Sequence, residues 1–155
     1  MIKETERRFT LRFIRRFVGL VFCFGLAVFV VAEEGAQAYR HHVMEAIGGH
    51  GQAIGDIMKG DVPHMEHLAM HVNAMADLAK ITYTLFPEGS EGGEALPVIW
   101  EEPEEFSKAV ERFATAAEAL RKAVNDGAQG EIGGAVREMF MACKGCHDDY
   151  REVEM

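Results

Sequence analysis

The sequence predicts an all-α chain folded as an antiparallel four-helix bundle. Helical periodicity of apolar residues recurs along most of it, whereas the alternation expected of strands never runs far. Stop signals divide the periodic part into four segments of similar length. These are Gly60-Asp61-Val62-Pro63, Phe86-Pro87 and Asn125-Asp126-Gly127. Segments of that kind joined mostly by short turns pack against each other as neighbours running in opposite directions.

The first helix is expected from Ala36 to about Lys59, with Tyr39, Val43, Met44, Ile47, Ile54, Ile57 and Met58 as its apolar side. Gly48, Gly49, Gly51 and Gly55 weaken it. The second is expected from Pro63 to Leu85, with Met65, Leu68, Val72, Met75, Ala79 and Thr82 in one stripe. A long acidic, glycine-containing loop, Pro87–Glu102, follows, and Leu96, Ile99 and Trp100 are its apolar anchors. Pro103 suits the first turn of the third helix, which carries Phe106, Val110, Phe113, Ala117, Leu120 and Val124. The fourth is expected from Glu131 to Glu152, with Val136 and Phe140 inward.

The 155 residues are 48% hydrophobic with only 4 Pro, enough for one domain with a substantial core. The formal net charge is −9, and the first sixteen positions are the basic exception, with Lys3, Arg7, Arg8, Arg12, Arg15 and Arg16 against Glu4 and Glu6. The remainder is therefore more acidic than the total suggests, which argues against nucleic acid or an anionic membrane surface as partner. Phe17–Ala32 carries no charge and follows the basic stretch. This is the layout of a secretory signal, with small-residue cleavage after Ala32. Residues 1–32 are read as the signal peptide and 33–155 as the domain, which places the product in the periplasm. An uncleaved membrane anchor is the alternative, since sixteen apolar residues fall just short of the usual span. Cys23 belongs to the leader.

Cys143-Lys144-Gly145-Cys146-His147 is the motif that carries chemistry. On a helix, Cys143 and Cys146 lie i,i+3 and Cys143 and His147 lie i,i+4, so all three project from one face. Two sulfurs and an imidazole on one face suit covalent attachment of haem c, with thioethers from Cys143 and Cys146 and His147 as axial ligand to the iron. A zinc half-site and a redox dithiol share the CxxC spacing. Zinc would need further ligands at compatible spacing, and a thioredoxin-type pair a βαβ context.

With that motif on the last of four helices, the chain resembles the cytochrome c′ family. Three stretches carry the resemblance: Tyr39-Arg40 with Met44 four residues on; the loop Glu91-Gly92-Gly93-Glu94-Ala95-Leu96-Pro97-Val98-Ile99-Trp100; and the ending Cys143 to Arg151. The resemblance implies that Arg40 and His41 lie near the haem, Arg40 close to a propionate, and that Glu94 and Ala95 border its edge. It implies that Arg151 sits beside the axial imidazole, and that the protein forms a homodimer through its first two helices.

Met44 separates two functions. Packed with Tyr83 and Phe86, its thioether covers the distal side and leaves a five-coordinate, high-spin iron. The resemblance then implies binding of nitric oxide and carbon monoxide. Alternatively Met44 is the sixth ligand of a low-spin electron carrier. The open reading is preferred, because a Met on an apolar helix face is more often packing than ligand. An enzyme, such as a weak nitric oxide reductase or peroxidase, ranks third, since no distal acid–base pair is evident.

Outside the motif, His64, His67 and His71 fall in one helical sector and form a possible metal set, usually no more than a half-exposed edge. His42 and His50 are expected at the surface without partners. Met65, Met70, Met75, Met139 and Met141 are read as core filling.

Overall fold

The computed structural model describes residues 34–152. The leader, Cys23 and the cleavage position lie outside them. From Ala36 onward the described residues form one compact unit, an antiparallel four-helix bundle.

Helix α1 runs over residues 34–59. It buries Val43, Ile47, Ile54 and Ile57 on one face, and at its N-terminal end the inward position is taken by Arg40 rather than Tyr39, which is exposed. Gly60 ends it at φ +77°. The Gly60 N–H donates to Ile57 O (3.1 Å) and the Asp61 N–H to Asp56 O (3.0 Å), the paired bonds of a left-handed glycine cap.

The second helical segment is not one continuous α-helix. A 3-10 turn, Met65–His67, leads into α2, Leu68–Ile81, and a second 3-10 turn, Thr82–Leu85, follows. The inward stripe survives both changes of pitch: Leu68, Val72, Met75, Ala76, Ala79, Thr82 and Leu85 are buried. Thr82 Oγ1 donates back to Leu78 O at 3.1 Å, where the pitch tightens. Phe86 leaves the helical region at φ −122° and ψ 55°, as a residue before proline tends to do.

The loop contains a one-turn helix, α3, Val98–Glu101. Helix α4, Pro103–Asn125, starts on its proline with Glu104 and Glu105 in the first turn, where they complement the helix dipole. It ends on another glycine cap, with Ala128 N–H to Ala123 O at 2.9 Å and Gly127 N–H to Val124 O at 3.2 Å. Helix α5, Gln129–Tyr150, follows almost at once, so the two helices must run antiparallel.

Helix α4 packs against both α2 and α5. Two apolar clusters result. The larger joins α1, α2, α4 and α5 around Ile54, Met75, Leu120 and Met139. The smaller, Ile99, Phe106 and Val110 with Phe86, Trp100, Cys146 and Tyr150, glues the loop to the end of α5. Each fully buried large side chain is worth about 1.5–3 kcal/mol relative to exposure.

The methionines divide. Met75 and Met139 are core, as expected, but Met65, Met70 and Met141 (68% accessible) are exposed. Met70 and Met141 each lie two residues beyond a buried position, roughly the opposite side of a helix. Met65 belongs to the 3-10 turn that precedes α2. Phe140, also expected inward, is partly exposed.

Candidate functional site

The inward sector of α5 is Ile132, Val136 and Met139. Steps of four and three residues continue it to Cys143, Cys146 and Tyr150. The same periodicity that packs the upper half of the helix therefore aims both thiols into the bundle. Both are free and partly buried. Burial pushes each thiol up to about 11, with Cys146 adding to the effect on Cys143. Burial also lowers His147 below its ordinary value, and Arg151 lowers it further against the opposing pull of Glu94 and Asp148. At neutral pH the imidazole is therefore uncharged, the form that ligates a metal.

These three residues line a cavity of about 960 Å³. Arg40, His41, Met44, Phe86, Glu94, Ala95 and Arg151 line it too. Tyr83 does not. It is 52% accessible, because the 3-10 turn directs Thr82 and Leu85 inward and leaves Tyr83 between them pointing out. Met44, expected to pack with Tyr83 and Phe86, lies with Phe86 against the main core.

Arg40 has partners the sequence did not indicate. Its side chain is buried. Nη1 donates to Leu85 O (3.4 Å) and Ser90 Oγ (3.2 Å), and Nη2 to Ser90 O (3.0 Å) and Gly92 O (2.9 Å). The guanidinium lies over Phe86, 5.0 Å from its ring centroid, and 5.7 Å from that of Trp100. Burial lowers its pKa, with Glu91 acting the other way. The fork expected at a propionate is thus directed into the loop's own carbonyls, although Arg40 still borders the cavity.

Glu94 and Arg151 meet across the cavity's edge, with Arg151 Nε and Nη2 each 2.6 Å from Glu94 Oε2. The backbone seals the same junction: Leu96 N–H donates to Tyr150 O (3.0 Å) and Glu152 N–H to Glu94 O (2.8 Å). His41 stands at the rim, exposed, 3.5 Å from Glu45.

Several lining residues were not singled out from the sequence as site residues. Met75, Phe113, Met139, Phe140 and Tyr150 supply apolar wall, and Gly48, Gly51 and Gly55 line the cavity from α1. The i−4 and i+4 steps from Cys143 and Cys146 reach Met139 and Tyr150. The three glycines stand at i, i+3 and i+7, a spacing that keeps one helix face bare of side chains.

A family model described as Cytochrome C′ matches residues 35–151. The chain belongs to the cytochrome c′ family. It is 35% identical over 117 residues to a cytochrome c′ of Pararhodospirillum photometricum, covering 74% of this chain and 94% of that protein. Among solved structures, a nitric oxide complex of a cytochrome c′ variant from Alcaligenes xylosoxidans superposes with a TM-score of 0.73 at 26% identity, over 78% of this chain and 97% of that one. A carbon monoxide-bound variant of the same cytochrome c′ gives the same figures.

The cofactor of this cytochrome c′ family member is haem c. The residues present fit it. The cavity lies at the upper end of the usual size for cofactor sites, about 300–1,000 Å³. Two free thiols and a neutral imidazole converge on it from one helix, and the rest of the wall is mainly apolar.

Proposed function

We propose that this cytochrome c′ binds small neutral gases, nitric oxide and carbon monoxide, at a haem held by Cys143, Cys146 and His147. The free Cys143 and Cys146 thiols would hold the haem by thioether bonds, each formed by adding S–H across a vinyl group with no oxidant needed. The neutral His147 imidazole would bind the haem iron, and haem c, when bound, would supply a centre that takes up gas and exchanges an electron.

The observation that carries this reading is the character of the wall contributed by α1 and α2. Met44 is partly buried against the main core together with Met75. Two polar groups of this wall are already engaged: Thr82 Oγ1 donates to Leu78 O, and the Arg40 guanidinium donates to Leu85 O, to the Ser90 hydroxyl and carbonyl, and to Gly92 O. A wall of this apolar character stabilises anions and polar, iron-bound dioxygen poorly and admits nitric oxide and carbon monoxide. The nitric oxide and carbon monoxide complexes among the structural neighbours support the same ligands.

The test is an absorption spectrum of the haem-loaded protein, ferric and ferrous, with and without carbon monoxide. The reading expects a high-spin spectrum that shifts with the gas. A low-spin spectrum with a methionine–iron band and no shift would instead make Met44 a ligand and the protein an electron carrier.

The rest of the proposal follows from the same family. The leader, residues 1–32, directs export to the periplasm, which N-terminal sequencing of the mature protein checks. Exposed Tyr39, Met65 and Met70 on the first two helical segments support a homodimer; a single-chain mass in sedimentation at high concentration would exclude it. The protein acts as a gas-binding and electron-transfer protein rather than an enzyme, and sustained reduction of nitric oxide with an added electron donor would contradict that.

A further inference from the structure

The 3-10 turn before α2 gathers three potential metal ligands that the haem site does not use. In a 3-10 turn, side chains three residues apart eclipse each other. His64 and His67 accordingly stack, with ring centroids 4.8 Å apart and planes inclined by only 15°. The His67 N–H donates to His64 O at 2.9 Å, which fixes the turn. Glu66 lies beside both rings: its Oε1 is 3.3 Å from His64 Nδ1 and 3.7 Å from His67 Nε2. One ligand atom from each of the three falls within 4.8 Å of the others, the only such trio among the described residues.

We propose that His64, Glu66 and His67 form a surface binding site for a divalent transition-metal cation of the zinc class, with the fourth position left to water. Two imidazole nitrogens and one carboxylate are a borderline donor set, which suits zinc, nickel or copper and not the all-oxygen preference of magnesium or calcium. Three protein ligands with an open fourth position is the arrangement of an accessible zinc site.

His71 is not part of the set, although an ideal α-helix would align it with the other two. The 3-10 turn advances the chain by a different angle, and His71 is engaged elsewhere, its Nδ1 3.0 Å from His50 Nδ1 on α1. Metal held by His64, Glu66 and His67 would pin the turn in its present geometry and stabilise the folded chain by mass action.

The experiment is isothermal titration of zinc ions into the untagged, haem-loaded protein, with magnesium as control. One zinc per chain is expected, with no magnesium uptake. Single replacements His64→Ala, His67→Ala and Glu66→Gln should each weaken zinc binding by at least about tenfold, since disturbing even the outer partners of a metal costs 10–100-fold. His71→Ala should leave it unchanged. All four positions lie on or near the surface, and the haem spectrum of each variant verifies that it is folded. Absence of saturable one-to-one binding would overturn the proposal. Binding that survives loss of His64 and His67, or that depends on His71 and not Glu66, would overturn it equally.

Discussion

Arg40 on α1 and Ser90 in the loop are buried against each other, with Nη1 3.2 Å from the Ser90 hydroxyl and Nη2 3.0 Å from its carbonyl. Ser90 Oγ in turn donates to Pro87 O at 2.7 Å. The long loop therefore owes its shape to a cation from fifty residues earlier, which also lies against Phe86 and Trp100. Removing the cation leaves buried carbonyls without donors. Arg40→Ala should destabilise the folded protein by about 3 kcal/mol in urea unfolding, the scale for hydrogen bonds to a charged group. Arg40→Lys should recover only part, because an ammonium cannot serve diverging carbonyls with a planar fork.

Met44 and Met139 border the same cavity but differ in burial, Met139 being completely inaccessible. Met139→Ala should cost about 2–5 kcal/mol, measured by denaturant midpoint. Met44→Ala should cost less, about 1–2 kcal/mol, since Met44 is only partly buried. It should also tighten carbon monoxide binding by clearing space in the cavity. If the Met44 change instead converts a low-spin spectrum to high-spin, Met44 was a ligand.

Haem attachment through two sulfurs predicts graded loss. Cys143→Ser and Cys146→Ser should each leave one covalent bond, and the double replacement none. Haem fluorescence or peroxidase staining on a denaturing gel reads this directly. A double variant that still carries covalent haem would refute the assignment.

The His50–His71 contact makes stability depend on pH. Two Nδ1 atoms at 3.0 Å can share only one proton. Burial, then His50 and His67, hold His71 below its ordinary value of 6.5. The unfolded chain therefore takes up a proton at higher pH than the folded one. Stability is fully present above 6.5 and falls as pH drops from there towards the depressed folded value. Urea unfolding at about pH 7.5 and 5.5 should show the loss in the parent chain and a smaller one in His71→Gln.

The Glu94–Arg151 pair is about half exposed on both sides. Glu94→Gln should cost no more than about 1 kcal/mol of stability, and less at high salt. The backbone bonds of Leu96 and Glu152 should keep the loop closed on α5.

Local sequence determined much of this protein. The steps of three and four residues that bury Ile132, Val136 and Met139 also aim Cys143 and Cys146, so the site's direction is written in the same period as the core. Gly60 and Gly127 mark helix ends because a left-handed cap needs them there. What the tertiary structure alone decided concerns partners distant in the chain. Arg40 turned to the loop, His50 found His71 on the neighbouring helix, and Arg151 closed on Glu94. Periodicity specifies which way a side chain leaves its own helix, but not what stands opposite when another element arrives. It also assumes one pitch throughout. Where the chain tightened to 3-10 geometry, at Met65–His67 and Thr82–Leu85, that assumption failed, exposing Tyr83 and setting Glu66 rather than His71 beside His64 and His67.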